Sequence, residues 1–178
     1  MSGKGPIAVV VLSVTVMIIM GLISMLPTTV VLESTHSFTV SQEKVNSYFT
    51  NPERWKEWLI NGDDSSIKFL QNGPSVGDGA GYKWFSDIQG DGAIEIKVLS
   101  KISVGYELVT DNGQFRERGS FIFKSNVESN KVVVTWQDTL DVSTNFHARY
   151  AANKDGFTDR LNNKNKKILE GIEKRINE

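Results

Sequence analysis

Apolar positions along this chain follow three different rhythms. From Pro6 to Leu26 no charged residue occurs, and only Ser, Thr and Gly interrupt the apolar run. From about Ser65 to Val142, short stretches alternate apolar with polar: Ile94, Ile96 and Val98 around Glu95 and Lys97, then Val104, Tyr106 and Leu108, then Phe121 and Phe123, then Val132, Val134 and Trp136. That period of two predicts half-buried antiparallel strands joined by turns such as Gly90-Asp91-Gly92 and Asp111-Asn112-Gly113. From Phe157 to Ile176 the period becomes that of a helix. Leu161, Ile168, Leu169, Ile172 and Ile176 fall with Phe157 in one arc roughly 120° wide. Such an arc needs a sheet to cover it, and the strands need a helix.

Between these blocks, Val30 to Val40 reads as a first strand containing His36, a residue expected at the surface or in a hydrogen bond rather than in catalysis. Ser41 is placed to cap a short helix whose face is Val45, Tyr48 and Phe49, with Val40 and Val45 spaced as a hydrophobic staple. Asn51-Pro52 restarts a helix with Trp55, Trp58 and Leu59 on its apolar face. Ile67 to Leu70 is a further predicted strand. The glycines from Gly77 to Gly81 lead into Tyr82-Lys83-Trp84-Phe85, a strand alternation, so they do not form a phosphate loop that opens a helix.

The apolar run has about the length that crosses a hydrocarbon core, and it exceeds the usual core of a cleaved signal. Residues 1–30 are therefore expected to form a single-pass transmembrane anchor and residues 31–178 one domain. Lys4 precedes the run and Lys44 is the next cation after it, which places the amino terminus in the cytoplasm and the domain on the other side. A net charge of -1 gives no basic face for nucleic acid. The chain has no cysteine, which removes disulfides and thiolate chemistry. With only His36 and His147, far apart, no metal motif is present, and no cofactor is expected. For acid–base chemistry the candidates are His147 with Asp138 or Asp141, which the alternative reading treats as loop and turn residues.

Strand, two short helices, about six strands and a long final helix is the order of the helix-grip fold. The chain resembles the SRPBCC, or START-like, superfamily, and in particular its polyketide cyclase/dehydratase group. The residues carrying the resemblance are Asn51-Pro52-Glu53-Arg54-Trp55-Lys56-Glu57-Trp58, the glycine run through Gly77 and Gly79 to Tyr82 and Trp84, Gly92-x-Ile94-x-Ile96, Val134-Thr135-Trp136, and the last helix with Gly171. It implies an α+β domain in which a curved antiparallel sheet of six or seven strands wraps the final helix, leaving a cavity for an apolar or amphipathic small molecule. Trp58, Trp84, Ile96, Tyr106, Phe121 and Trp136 are its candidate lining on the sheet side, with Leu161, Lys164 and Asn165 on the helix. Binding without turnover is the favoured reading. A cyclase-type or dehydratase-type enzyme, or a tethered interaction module with a filled core, are the alternatives. Asn165 points into the apolar arc and must meet a polar partner, with Tyr106 or Gln137 as protein candidates, or else water or ligand.

Overall fold

The computed structural model describes residues 4–59, 64–113, 115–126, 131–143 and 145–178, with the side chains of residues 4–8 and 126 left aside. Helix α1 (Lys4–Ser24) leads into strand β1 (Thr29–Phe38), helices α2 (Gln42–Phe49) and α3 (Pro52–Leu59), and six strands: β2 (Lys68–Asn72), β3 (Gly81–Phe85), β4 (Gly92–Ser100), β5 (Ser103–Thr110), β6 (Phe115–Asn126) and β7 (Lys131–Asp141). Helices α4 (Phe146–Ala152) and α5 (Phe157–Asn177) finish the chain. The strands form one antiparallel sheet in the order β1-β7-β6-β5-β4-β3-β2. β2 is exposed throughout and starts one residue later than its apolar run suggests. Helix α4 has no counterpart in the sequence reading, because its seven residues are too few to show a period.

The expected caps are in place. Ser41 Oγ accepts from the Lys44 amide, and Val40 and Val45 are both buried. Asn51 Oδ1 accepts from the Glu53 amide at 3.0 Å, with Pro52 opening α3. Trp55 is fully buried and its Nε1 donates to the Phe49 carbonyl at 3.2 Å, so this indole belongs to the core.

One face of the sheet carries Ile94, Ile96, Val104, Phe121, Phe123, Val134 and Trp136 and is covered by α5 through Leu169 and Ile172. A smaller cluster of Val30, Leu32, Val142 and Ala152 packs with Phe157 and Leu161 where β1 meets the start of α5. His36 Nε2 lies 2.7 Å from Glu173 Oε2, and Glu173 Oε1 accepts from both the amide and the hydroxyl of Thr39, each at 2.9 Å. These bonds pin α5 to β1. Burial opposes ionisation of Glu173, but the bonds from His36 and Thr39 outweigh it and hold the carboxyl below its ordinary range.

Helix α1 differs from every other element. Its described side chains are apolar on all sides and exposed, with Val11 at 59%, Leu12 at 66% and Ile18 at 57%, and it packs chiefly on α4. Side chains of α1 are described from Val9 onward, and over the described residues no helix is long and apolar enough to cross a membrane.

Candidate functional site

Three adjacent strands put Tyr106, Gly119 and Asp138 in one row across the sheet, Tyr106 opposite Gly119 and Gly119 opposite Asp138. All three face α5, because β6 and β7 alternate and Phe121 and Trp136 share their side. A side chain at position 119 would run into Asp138 Oδ1 and the Tyr106 hydroxyl. Glycine there lets the phenol reach over β6 to the carboxylate. Trp136 Nε1 donates to Asp138 Oδ1 at 2.7 Å and to the Tyr106 oxygen at 2.8 Å. Asn165 Nδ2 donates to Asp138 Oδ2 at 3.1 Å. Tyr106 Oη also bonds Glu117 Oε1 at 2.8 Å and, more closely, Asp138 Oδ1.

The phenol has one proton and two carboxyl neighbours, so it can donate to only one of them, and the other must bring a proton of its own. Burial, and then the charge of Glu117, raise the Asp138 pKa to about 7. Burial also raises Glu117, against the bond from Tyr106 and the charge of Lys164. Tyr106 is pushed well above its ordinary value by burial, followed by the two carboxylates. The group therefore holds an extra proton near neutrality.

The interior expected to hold a cavity is occupied by rings. Phe121 lies with its centroid 4.3 Å from Phe49, 5.0 Å from Trp136 and 5.7 Å from Tyr106, while Trp55 meets Tyr106 at 5.1 Å and Trp58 meets Trp136 at 5.5 Å. Five surface pockets formed by the described residues are lined by other side chains than Ile96, Tyr106, Phe121 and Trp136. The nine lining candidates therefore divide. Tyr106, Phe121, Trp136 and Asn165 meet in the interior, beside Ile96. Trp84 stays in the same core but donates to the Gly90 carbonyl at 3.1 Å, at the β3–β4 turn. Leu161 belongs to the smaller cluster at β1. Asn165 meets Asp138, not Tyr106 or Gln137. The helical phase showed that it points inward but not which inward-facing strand residue it meets.

Trp58 and Lys164 come together at the edge of the interior, in a pocket of about 540 Å3 between α3 and α5 that Arg160, Lys167, Gly171 and Arg175 also line. Positions 160, 164, 167, 171 and 175 form one stripe on α5. Arg175 is engaged, with Nε 3.5 Å from Glu57 Oε2. Among the described residues, Arg160, Lys164 and Lys167 have no carboxylate within ion-pair distance. The indole Nε1 of Trp58 is buried and has no hydrogen-bond acceptor among the described residues. Arg160 and Lys167 are not among the candidates drawn from the sequence, which on the last helix are only Leu161, Lys164 and Asn165. The stripe they form beside Lys164 is visible in the helical phase.

The proposed acid–base trio is not assembled. Asp138 faces inward from the middle of a strand and is not a turn residue. Asp141 is exposed and accepts from the Ser143 amide at 2.8 Å, and that hydroxyl residue's bonds hold its pKa low. His147 is exposed on α4 and bonds to neither aspartate.

By sequence the chain matches no family model and no curated protein. Solved structures do resemble it. Ara h 8.0201 is 13% identical, matching 83% of this chain and 97% of its own, with a TM-score of 0.57. The fold is the helix grip. The KanY protein is 12% identical over 84% of this chain and 99% of its own, with a TM-score of 0.56. Norcoclaurine synthase from Thalictrum flavum is 8% identical over 83% and 90%, with a TM-score of 0.51. At such identities the likeness is one of fold alone, a seven-stranded antiparallel sheet closed by a long final helix.

Proposed function

We propose that this is a membrane-anchored helix-grip domain, related to the polyketide cyclase/dehydratase group, that binds an amphipathic small molecule with an acidic group and does not turn it over. The pocket between α3 and α5 carries this reading. It is lined by the Trp58 indole and Ile168 and by Arg160, Lys164 and Lys167, none of which has a carboxylate within ion-pair distance among the described residues. An apolar lining beside such cations suits a carboxylate or phosphate ester with a hydrocarbon tail. Anchoring is supported by α1, a 21-residue helix about 31 Å long whose described side chains, from Val9 onward, are mainly apolar yet largely uncovered. With Lys4 on the cytoplasmic side, the domain lies on the opposite face.

Titration with dodecanoate, followed by Trp fluorescence and calorimetry, tests the pocket, with dodecanol and dodecyltrimethylammonium as controls. The carboxylate should bind best, and Lys164→Gln or Lys167→Gln should weaken it by roughly two- to fivefold per charge removed. Equal affinity for all three amphiphiles, or none for the carboxylate, overturns the reading.

A second reading is acid–base catalysis, in which the Asp138–Glu117 pair replaces the expected His147. It is favoured by a carboxyl with a pKa of about 7 beside a phenol, and one protein of this fold, norcoclaurine synthase, is an enzyme by name. Its test is turnover of an aromatic substrate that Asp138→Asn abolishes while the fold is retained.

A further inference from the structure

Helix α4 docks on the carboxyl-terminal end of α1. Arg149 Nη1 donates to the Ser24 carbonyl at 3.3 Å, and Asn153 Nδ2 donates to the Pro27 carbonyl at 3.3 Å. Between the two helices runs a groove of about 700 Å3, lined by Ile19, Leu22 and Ile23 on one side and Phe146, His147 and Tyr150 on the other. Phe146 and Tyr150 remain 45% and 49% exposed, although each has a cation over its ring: Arg149 at 5.8 Å and Lys154 at 4.6 Å. Arg149 also donates from Nη2 to the Ser143 carbonyl at 3.0 Å, and its buried Nε has no acceptor among the described residues. No carboxylate among the described residues pairs with Arg149 or Lys154.

The position of this groove along α1 identifies its occupant. The stretch from Ile19 to Leu26 is roughly the last third of the apolar run, and its helical part, Ile19 to Ser24, covers about 8 Å of helix axis. If α1 fills the hydrocarbon core, α4 lies at the depth where acyl chains give way to headgroups, and Arg149 lies at the phosphate layer, beside the last residue of the span. Aromatic rings flanked by cations suit that layer, since the ring faces hydrocarbon while the charge reaches phosphate.

We propose that the groove between α1 and α4 is a phospholipid site: one acyl chain lies between the helices, and the headgroup phosphate sits against Arg149 and Lys154. The site rests on the anchored reading of α1. It makes α4 a second membrane contact that holds the domain in one orientation on the bilayer, instead of leaving it to swing on a short linker.

The absence of cysteine makes the test direct. In full-length chain reconstituted into phosphatidylcholine vesicles containing some phosphatidylglycerol, spin labels at Tyr150→Cys and at the exposed loop residue Ile88→Cys are compared for collision with oxygen and with a water-soluble nickel chelate. The label at 150 should favour oxygen and the label at 88 nickel. Native mass spectrometry from detergent should show retained phosphatidylglycerol in preference to phosphatidylcholine. That preference should fall about fivefold in Lys154→Gln, whose side chain lies over the Tyr150 ring and makes no ion pair among the described residues, and similarly in Arg149→Gln. Inorganic phosphate in excess should not displace the lipid. A chain that resists alkaline carbonate extraction but shows a nickel-accessible label at 150, or an unchanged lipid preference in both variants, overturns the lipid site and spares the anchor. Extraction by carbonate overturns the anchor, and the site falls with it.

Discussion

Asp138 shows how one missing side chain sets the chemistry of a core. Without Gly119 the phenol of Tyr106 could not cross β6, and Asp138 would keep only Trp136 and Asn165 as partners. Gly119→Ala should therefore separate the bonded groups and cost about 1–3 kcal/mol, read as a drop in the urea midpoint with unchanged slope. The same cluster predicts a pH dependence. Asp138 titrates near 3.8 when unfolded and near 7 when folded, so the folded state binds more protons between those values. Its contribution to stability is complete below about pH 4 and is lost as pH rises through 7. Denaturant melts from pH 5 to pH 8 should show stability declining, and Asp138→Asn should flatten that decline. An unchanged slope in the variant would move the raised proton affinity to Glu117.

At the scale of the element, α5 carries two jobs on adjoining faces. Ile168, Leu169 and Ile172 close the sheet, and the neighbouring stripe of Arg160, Lys164, Lys167, Gly171 and Arg175 faces α3 across the pocket. Nothing stands within 4 Å of where a Gly171 side chain would start. Helix propensity alone then makes Gly171→Ala stabilising by about 1 kcal/mol, seen as a higher melting temperature. Gly171→Met should keep the fold and lower dodecanoate affinity, because its side chain enters the pocket. The inner face of α5 was legible in the sequence: its phase gave both the apolar arc and the inward Asn165. What α5 meets was not legible. Asn165 finds Asp138 only because β7 lies beside β6 and Gly119 leaves room, and strand neighbours are set by the sheet order, not by local period. The same reason hid the packed interior: Phe121 and Trp136 are ordinary alternating strand aromatics and Trp58 an ordinary member of a helix face until three elements bring their rings within contact. Asp141, three residues on along β7, faces the other side of the sheet from Asp138, and His147 lies beyond the end of the strand on α4.

At the scale of the whole molecule, the fold and the helix before it are built from separate accounts. The cores that hold the sheet to α2, α3 and α5 contain no residue of α1. Contacts of α1 and its linker with the domain are the α4 groove, the bonds of Arg149 and Asn153, and the Val142 amide to the Thr28 carbonyl at 2.8 Å. A chain beginning at Pro27 keeps the last two of these attachment points, and it keeps Val30 and Leu32 of the smaller cluster. It should fold, with thermal unfolding governed by the same core. It should also expose Phe146 and Tyr150 with the groove wall gone, an apolar surface that favours self-association in water. The expected result is one cooperative melt by circular dichroism, together with a molecular weight by sedimentation that rises with concentration. Phe146→Ser with Tyr150→Ser should return the fragment to a monomer without moving the melt by more than a few degrees. A fragment that fails to melt cooperatively would mean that α1 supports the domain as well as carrying it.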